Sequence, residues 1–241
     1  MQRTLIVGGC PRSGTTALVR LLNCHPRVLI GDERYYWLFE RGGLDERLFE
    51  PARFFDLREA DRHWEEGREP LPEGAGQAVF ADAAWVGDKY PPLWRAYGEI
   101  GACLPDARVV HVLRNPLSVA QSYEARADDA SDAWHFGTAR AIEDWNASVR
   151  GTLDAVARGL DVLVVSYEAV FAPGADMQIL FGALGLSAAP ALAACGAVTA
   201  KAARVFRQDT PRDEALRREV CLGADLDAYR ALSARCLFAG G

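Results

Sequence analysis

A glycine-rich segment near the start of the chain has the residue types of an anion-binding loop. An apolar run at 4–7 leads into Gly8 and Gly9, and the sequence Gly-Cys-Pro-Arg-Ser-Gly-Thr-Thr occupies 9–16. At a strand-to-helix turn of this kind, free backbone N–H groups and the helix dipole point at one place and attract a phosphate. Arg12 adds a charge-assisted donor. Backbone and hydroxyl donors come from its neighbours, Ser13, Gly14, Thr15 and Thr16.

The loop departs from a nucleoside-triphosphatase loop at one position. Gly9 and Gly14 keep the G-x-x-x-x-G spacing, but Thr15 stands where a Walker A motif has lysine. That lysine reaches the β- and γ-phosphates of a bound triphosphate. The spacing therefore predicts a phosphate-like ligand held without the usual triphosphate machinery. The alternative is an ordinary strand–turn–helix in which glycine only makes the turn tight.

A second strand-to-helix segment repeats this architecture. Arg114 follows the apolar run at 108–113, and Asn115-Pro116 favours a helix start. Ser122 lies on that helix. Ligands of open parallel sheets bind beyond the carboxyl ends of strands, so Arg114 and Ser122 are predicted to reach a second phosphate near the first loop. The alternative is a rim arginine and a surface hydroxyl.

The elements that would position these residues follow from hydrophobic patterning. Apolar runs without polar alternation predict buried strands at 4–7, 108–113 and 161–166, with weaker candidates at 28–30 and 85–87. Helical patterns lie between and after them, at 15–24, 116–126, 132–158 (as one helix or two) and 176–184. Strands that alternate with helices predict an α/β fold, with a mostly parallel sheet flanked by helices.

The segment 41–81 has a different composition from the rest of the chain. It is charged and aromatic, and it ends in the sequence Pro-Leu-Pro-Glu-Gly-Ala-Gly-Gln. We interpret it as short helices inserted between the second and third strands, followed by a flexible loop. It forms either a lid or acceptor pocket, or a solvated decoration of the domain. The chain 1–241 is expected to be one domain with this insertion.

Composition excludes several classes of protein. The chain has 241 residues, of which 50% are hydrophobic and 25% charged, which is typical of a globular domain rather than a disordered one. Its net charge of −6 argues against nucleic-acid binding. The sequence has no apolar run of roughly 18 residues and no signal-peptide pattern, so we expect a cytoplasmic protein without a membrane partner. Its six cysteines are scattered, and no metal site is predicted.

Both anion motifs resemble those of a known family. Pro-Arg-Ser-Gly-Thr-Thr at 11–16, and Arg-Asn-Pro at 114–116 followed by Ser122, resemble the cofactor motifs of sulfotransferases that use 3′-phosphoadenosine 5′-phosphosulfate (PAPS). The resemblance implies the P-loop-like sulfotransferase fold. It implies that the first motif holds the 5′-phosphosulfate and the second the 3′-phosphate. His25-Pro26 and Gly-Asp-Glu at 31–33 look most like the protein-tyrosine sulfotransferase branch and its bacterial relatives.

The same resemblance assigns roles to further residues. It places the catalytic glutamate, a general base, on Glu33, and it places a lysine that stabilises the transferred group with Arg12 on Lys89. It also implies a cofactor contact for Tyr167. Asp32 is the competing base, or it caps the helix that follows. If that helix includes Glu33, Tyr36 shares its face and forms either an acceptor wall or part of the core.

The sequence thus predicts in-line transfer of a sulfuryl group from PAPS to a hydroxyl, or less readily an amine, without a metal ion. The acceptor is left open among a small metabolite, a saccharide and a tyrosine-bearing peptide, and the oligomeric state is equally open. Two other functions remain as alternatives at this point. One is a nucleotide-dependent small-molecule kinase, and the other is a non-catalytic nucleotide-binding module.

Overall fold

One parallel sheet organises the chain. The structure is a computed structural model, and it describes residues 2–62, 71–72, 74–129, 135–208 and 214–238, without the side chains of 203–208. Within these residues the sheet has five strands, β1 (Arg3–Gly9), β2 (Val28–Ile30), β3 (Trp85–Pro92), β4 (Arg108–Leu113) and β5 (Val162–Ser166). Their order is β2-β3-β1-β4-β5, and every neighbouring pair is parallel.

Helices connect the strands and follow the last one. They are α1 (Thr15–Leu22), α2 (Tyr36–Arg41), α3 (Pro51–Phe54), α4 (Gln77–Asp82), α5 (Tyr97–Cys103), α6 (Pro116–Ala127), α7 (Thr138–Ala157), α8 (Tyr167–Val170), α9 (Met177–Ala183), α10 (Leu192–Gln208), α11 (Glu214–Gly223) and α12 (Leu226–Ser233). Short 3-10 turns occupy Glu46–Phe49, Glu59–Asp61 and Leu93–Arg95. In the described ranges, no helix is long and apolar enough to cross a membrane.

Successive side chains of β1 are buried on opposite faces of the sheet. Leu5 and Val7 pack in one apolar cluster with residues of α1 and α9, whereas Ile6 packs in another with residues of α5 and of the segment between β2 and β3. Burial on both faces is why the strand sequences are continuously apolar. The predicted α/β class with a parallel sheet is confirmed.

The predicted elements differ from the observed ones mainly at their ends. β3 continues to Pro92, well beyond the predicted 85–87. The helix predicted at 132–158 is observed from Thr138, and residues 132–134 lie outside the described part of the chain. Short helices do occupy the described part of 41–81, while the loop predicted at 70–77 falls partly outside it. The single-domain organisation stays a prediction.

The register between β1 and β3 depends on one close backbone approach. Gly87 pairs with Leu5, and a Cβ atom at Gly87 would lie 1.7 Å from the Leu5 carbonyl oxygen. Two residues further on, Lys89 pairs with Val7, immediately before the glycine-rich loop. Glycine at 87 therefore permits the approach that brings Lys89 to the loop.

A buried polar network connects β4 to the helices α5 and α7. The Nδ1 atom of His111 lies 3.1 Å from the Tyr97 hydroxyl on α5 and 3.0 Å from the Thr152 hydroxyl on α7. These two hydroxyls lie 2.8 Å apart. Burial lowers the pKa of His111 to about 3, so the ring is neutral at ordinary pH. The network ties the strand that carries Arg114 to two helices.

Replacing Gly87 with alanine tests the β1–β3 approach. We expect Gly87→Ala to destabilise the fold by about 2–3 kcal/mol, because the added Cβ atom overlaps backbone that cannot move independently. For a chain of this size that lowers the melting temperature by roughly 5–10 °C. Gly98→Ala in α5 is the matched control, since nothing lies within 4 Å of its added Cβ atom. Equal melting temperatures for the two variants would contradict the close approach.

Candidate active site

The glycine-rich loop forms a tight turn between β1 and α1. The Ser13 N–H donates to the Cys10 carbonyl oxygen at 3.1 Å, which closes the turn. Gly14 caps α1 in a left-handed conformation with φ of 95°. A Cβ atom at Gly14 would lie 2.3 Å from the Tyr167 ring, so glycine is required there both by backbone conformation and by space. The loop has the strand–turn–helix geometry that its sequence predicted.

Two buried hydroxyl residues lie in this loop and at the start of the helix. Ser13 is only 1% exposed, and its Oγ atom has no hydrogen-bond partner within the described residues. Thr15 is 4% exposed at the first position of α1. A buried hydroxyl without a partner costs free energy that a bound acceptor group would recover. The donor set of this loop therefore fits an anion.

The structure brings the two predicted anion motifs together. Arg12 Nε donates to Ser122 Oγ at 3.0 Å, and Arg114 Nη1 donates to the Arg12 carbonyl oxygen at 3.0 Å. The Arg114 guanidinium also lies 4.4 Å from the centre of the Tyr167 ring, in a cation–π contact. Tyr167 thus packs against both Gly14 and Arg114, at the junction of the two motifs.

Contacts from two helices hold the backbone of Arg114 and of the residue after it. Trp145 Nε1, on α7, donates to the Arg114 carbonyl oxygen at 2.9 Å. The Glu168 carboxylate, on α8, accepts the Asn115 N–H at 2.9 Å. Asn115 in turn caps α6 by accepting the Leu117 N–H at 2.9 Å. Glu168 is a supporting residue that the sequence argument did not single out, although it directly follows Tyr167.

Lys89 lies between the loop helix and two carboxylates. Its side chain is only 2% exposed. The Nζ atom lies 2.6 Å from Asp32 Oδ1 and 2.7 Å from Glu33 Oε1, and it donates to Thr16 Oγ1 at 2.9 Å. The residues that the family resemblance singled out, Glu33 and Lys89, are therefore in direct contact. Asp32 makes the same contact.

Glu33 lies in a loop rather than in the helix considered from the sequence. Its backbone is left-handed with φ of 62°, and α2 begins only at Tyr36. The Tyr36 ring makes edge contacts with Trp37 and Tyr90 at centre distances of 5.2 and 5.5 Å. Burial raises the pKa of Tyr36, and the nearby carboxylates of Glu40 and Glu33 raise it further. Glu33 therefore influences Tyr36 through its charge, although it does not share a helix with it.

Asp32 does not cap α2, whose N-terminus has no side-chain cap, and the backbone just before this helix is held by Asp88. Asp88 is 0% exposed, and its carboxylate accepts the N–H groups of Arg34 and Tyr35 at 3.1 and 2.9 Å. Burial raises the pKa of Asp88 to about 7 against the opposing effect of these hydrogen bonds. Sequence reasoning missed this residue, because a polar side chain at the end of an apolar run indicates the end of a strand rather than a buried support.

The raised pKa of Asp88 predicts an unusual dependence of stability on pH. The folded state binds this proton more tightly than the unfolded state, whose carboxyl has the ordinary pKa of 3.8. The stability that Asp88 contributes is therefore greatest at low pH and falls as the pH rises from about 4 to about 7, by up to ~1.4 kcal/mol per pH unit.

Urea unfolding of the wild type and of Asp88→Asn at several pH values measures this effect. The free energy of unfolding of the wild type, minus that of the variant, should fall steadily across the window. A difference that does not change with pH would contradict titration of Asp88 in the folded state.

Comparison with one solved structure agrees with this architecture, and two further structures give lower scores. The sulfotransferase domain of the curacin biosynthetic pathway superposes with a TM-score of 0.52 at 18% identity, covering 77% of this chain and 74% of that one. The sulfotransferase domain of the Synechococcus PCC 7002 olefin synthase gives a TM-score of 0.49 at 21% identity, covering 78% and 74%. Sulfotransferase STF9 from Mycobacterium avium gives 0.48 at 18% identity, covering 97% and 75%.

At 18% identity, the similarity to the domain of the curacin pathway bears on the fold alone. A search of curated proteins finds no match to this chain. In the described residues, no group of three or more histidine, cysteine or acidic side chains is arranged to hold a metal ion. The sequence model of the sulfotransferase family matches residues 4–190, which is most of the chain. With that match and the sheet described above, the chain belongs to the sulfotransferase family.

Proposed function

We propose that this sulfotransferase takes its sulfuryl group from PAPS and transfers it to an acceptor hydroxyl. The observation that carries the proposal is the contact between the two motifs. The side chain of Arg114 donates a 3.0 Å hydrogen bond to the carbonyl oxygen of Arg12. Two cationic side chains at neighbouring strand ends suit a nucleotide that carries phosphates at two separate positions. Thr15, in place of the Walker A lysine, disfavours a triphosphate.

The loop and the second motif divide the donor between them. The 5′-phosphosulfate would be held by the residues of the first motif, Arg12, Ser13, Gly14, Thr15 and Thr16. The 3′-phosphate would be held by Arg114 and Ser122, with Tyr167 against the Arg114 guanidinium. The unpartnered Ser13 hydroxyl supports the first assignment, since a bound anion supplies the acceptor that it lacks. PAPS contributes the sulfuryl group and leaves as adenosine 3′,5′-bisphosphate.

Lys89 and Arg12 supply positive charge where the proposed reaction develops negative charge. Sulfuryl transfer resembles phosphoryl transfer, in which positioning and electrostatic stabilisation do most of the work. A cation in a site from which water is excluded is more effective than one in bulk solvent. Lys89 meets this condition, because its side chain is 2% exposed and is already oriented by Thr16.

Glu33 is the proposed general base, which takes the proton from the hydroxyl of the acceptor molecule. Both Asp32 and Glu33 contact Lys89, so their distances to Nζ do not separate them. Two points support Glu33. It is the residue that matches the family's catalytic glutamate, and its charge contributes to raising the pKa of Tyr36, whose ring contacts Trp37 and Tyr90. Tyr36 and Trp37 would then border the acceptor, which is a small metabolite, a saccharide or a tyrosine-bearing peptide.

Ligand-induced thermal stabilisation tests the donor assignment. We expect adenosine 3′,5′-bisphosphate, but not Mg-ATP, to stabilise the protein, by ~2.7 kcal/mol at a hundred times its Kd. Arg114→Ala should weaken the binding of the bisphosphate by at least about tenfold, and it should weaken the binding of AMP, which lacks a 3′-phosphate, by clearly less.

Arg108→Ala is the matched control, because Arg108 lies at the opposite end of β4 and pairs with Asp161. It should not alter nucleotide selectivity. Equal weakening of AMP and the bisphosphate by Arg114→Ala would overturn the assignment of the second motif. Stabilisation by Mg-ATP alone would favour a kinase.

Removal of the proposed base should separate binding from turnover. We expect Glu33→Gln to keep its affinity for the bisphosphate and to lose ~10²–10⁴-fold in kcat, because a positioned general base contributes about that much. Turnover is measured as bisphosphate release from PAPS with a panel of phenols, saccharides and tyrosine peptides.

Asp32→Asn is the comparison variant, since Asp32 makes an equivalent contact with Lys89. It should lose less activity than Glu33→Gln. The reverse order would move the base to Asp32. Bisphosphate binding without transfer to any acceptor would instead favour the non-catalytic module.

A further inference from the structure

The Glu33 backbone needs support from its surroundings. Its φ of 62° places a side chain with a Cβ atom in the left-handed region, where a glycine would be the usual residue. Such a conformation persists only where neighbouring contacts over-determine it. Contacts of the loop at 31–35 with β3 supply this support.

The loop leaves the sheet at a fixed point. The Gly31 N–H donates to the Gly87 carbonyl oxygen at 2.9 Å, which continues the pairing of β2 with β3. A Cβ atom at Gly31 would lie 2.8 Å from Asp88 Oδ1 and 2.2 Å from Arg34 Cδ. Only glycine therefore allows the loop to approach the Asp88 carboxylate this closely.

The Asp88 carboxylate holds the loop immediately after Glu33. One oxygen accepts the Arg34 N–H at 3.1 Å, and the other accepts the Tyr35 N–H at 2.9 Å. Asp88 is 0% exposed, so water does not compete for these bonds. The two amides belong to the residues that follow Glu33, and their positions fix the direction in which the chain leaves it.

Asp88 and Lys89 are consecutive residues of β3. Successive side chains of a strand point to opposite faces, so one residue can hold the loop backbone while the next meets the loop's carboxylates. Lys89 Nζ lies 2.7 Å from Glu33 Oε1. Asp88 thus holds the backbone next to Glu33, and the adjacent Lys89 contacts the Glu33 side chain.

We propose that Asp88 is a positioning residue for this site: its buried carboxylate fixes the loop at 31–35 and thereby sets the Glu33 carboxylate against Lys89. This inference rests on the proposed role of Glu33 for its catalytic consequence. The role of Asp88 in holding the loop backbone does not depend on the role of Glu33. Asp88 does not contact the reacting groups, and it acts only through the position of Glu33.

Asp88→Asn tests the proposal, because asparagine keeps the shape and replaces one accepting oxygen with a donor that faces a backbone N–H. Hydrogen exchange measured by mass spectrometry should show at least about tenfold faster exchange in the peptide that covers 31–36, with α6 unchanged. Turnover should fall by up to ~10²-fold in kcat, the effect of a misplaced catalytic group. The Kd for the bisphosphate should stay within about twofold of the wild type, because the anion motifs are not held by Asp88.

A double variant distinguishes positioning from a general loss of stability. If Asp88 acts through Glu33, then Asp88→Asn should cost little further activity in a protein that already carries Glu33→Gln. Asp176→Ala, which removes the carboxylate that caps α9, is the control for lost stability and should leave kcat and exchange at 31–36 unchanged. If Asp88→Asn does not fold, Gly31→Ala carries the test, because its Cβ atom displaces the loop from an intact Asp88.

The outcomes separate this inference from the proposed function. Unchanged exchange at 31–36 in Asp88→Asn overturns the positioning role, whatever the activity. Faster exchange with full kcat, or additive losses in the double variant, overturns the link to Glu33. Absence of sulfuryl transfer in the wild type, together with faster exchange in Asp88→Asn, contradicts the proposed function and supports the backbone role of Asp88.

Discussion

The buried ammonium group of Lys89 sets the arrangement of the candidate site. At 2% exposure it has lost its hydration, and only charged or polar partners can compensate for that loss. Those partners are Thr16 on one side and the carboxylates of Asp32 and Glu33 on the other. The helix after the glycine-rich loop and the loop after β2 must therefore converge on one point. The register of β3 places that point, and it depends on the glycine at 87.

Strained backbone occurs on both sides of Lys89, in the glycine-rich loop and in the loop after β2. Among the described residues, Arg12 and Glu33 are the non-glycine residues with positive φ, at 67° and 62°. Each such conformation costs about 1–3 kcal/mol, which other contacts must offset. Arg114 donates to the carbonyl oxygen of Arg12, and Asp88 accepts the two amides that follow Glu33. The anion side and the carboxylate side are built alike, because on each side a buried side chain from a neighbouring strand segment holds the backbone at or next to the strained residue.

Sequence alone predicted what depends on local pattern. The apolar runs located all five strands, and the spacing of Gly9, Arg12 and Gly14 located the loop. The extension of β3 to Pro92 was not predictable, because polar residues interrupt its apolar run and are buried only through partners distant in sequence. Family resemblance singled out Glu33 and Lys89 separately, but their contact was not predicted, since nothing in their spacing relates them. Asp88 gave no signal, because its bonds are to backbone amides, which any residue could supply.

The site also resolves an apparent conflict between net charge and ligand. The chain carries a net charge of −6, yet the proposed donor is a polyanion. At physiological salt, charges more than about 8 Å away are largely screened, so the local arrangement decides. Arg12 and Arg114 belong to the anion motifs, whereas Lys89 contacts Thr16 of the first motif and the carboxylates of Asp32 and Glu33. Lys89 thus marks a boundary between a cationic side and a carboxylate side. Sulfuryl transfer from a nucleotide to a hydroxyl needs such an asymmetry, because the leaving phosphate requires positive charge and the acceptor requires a base.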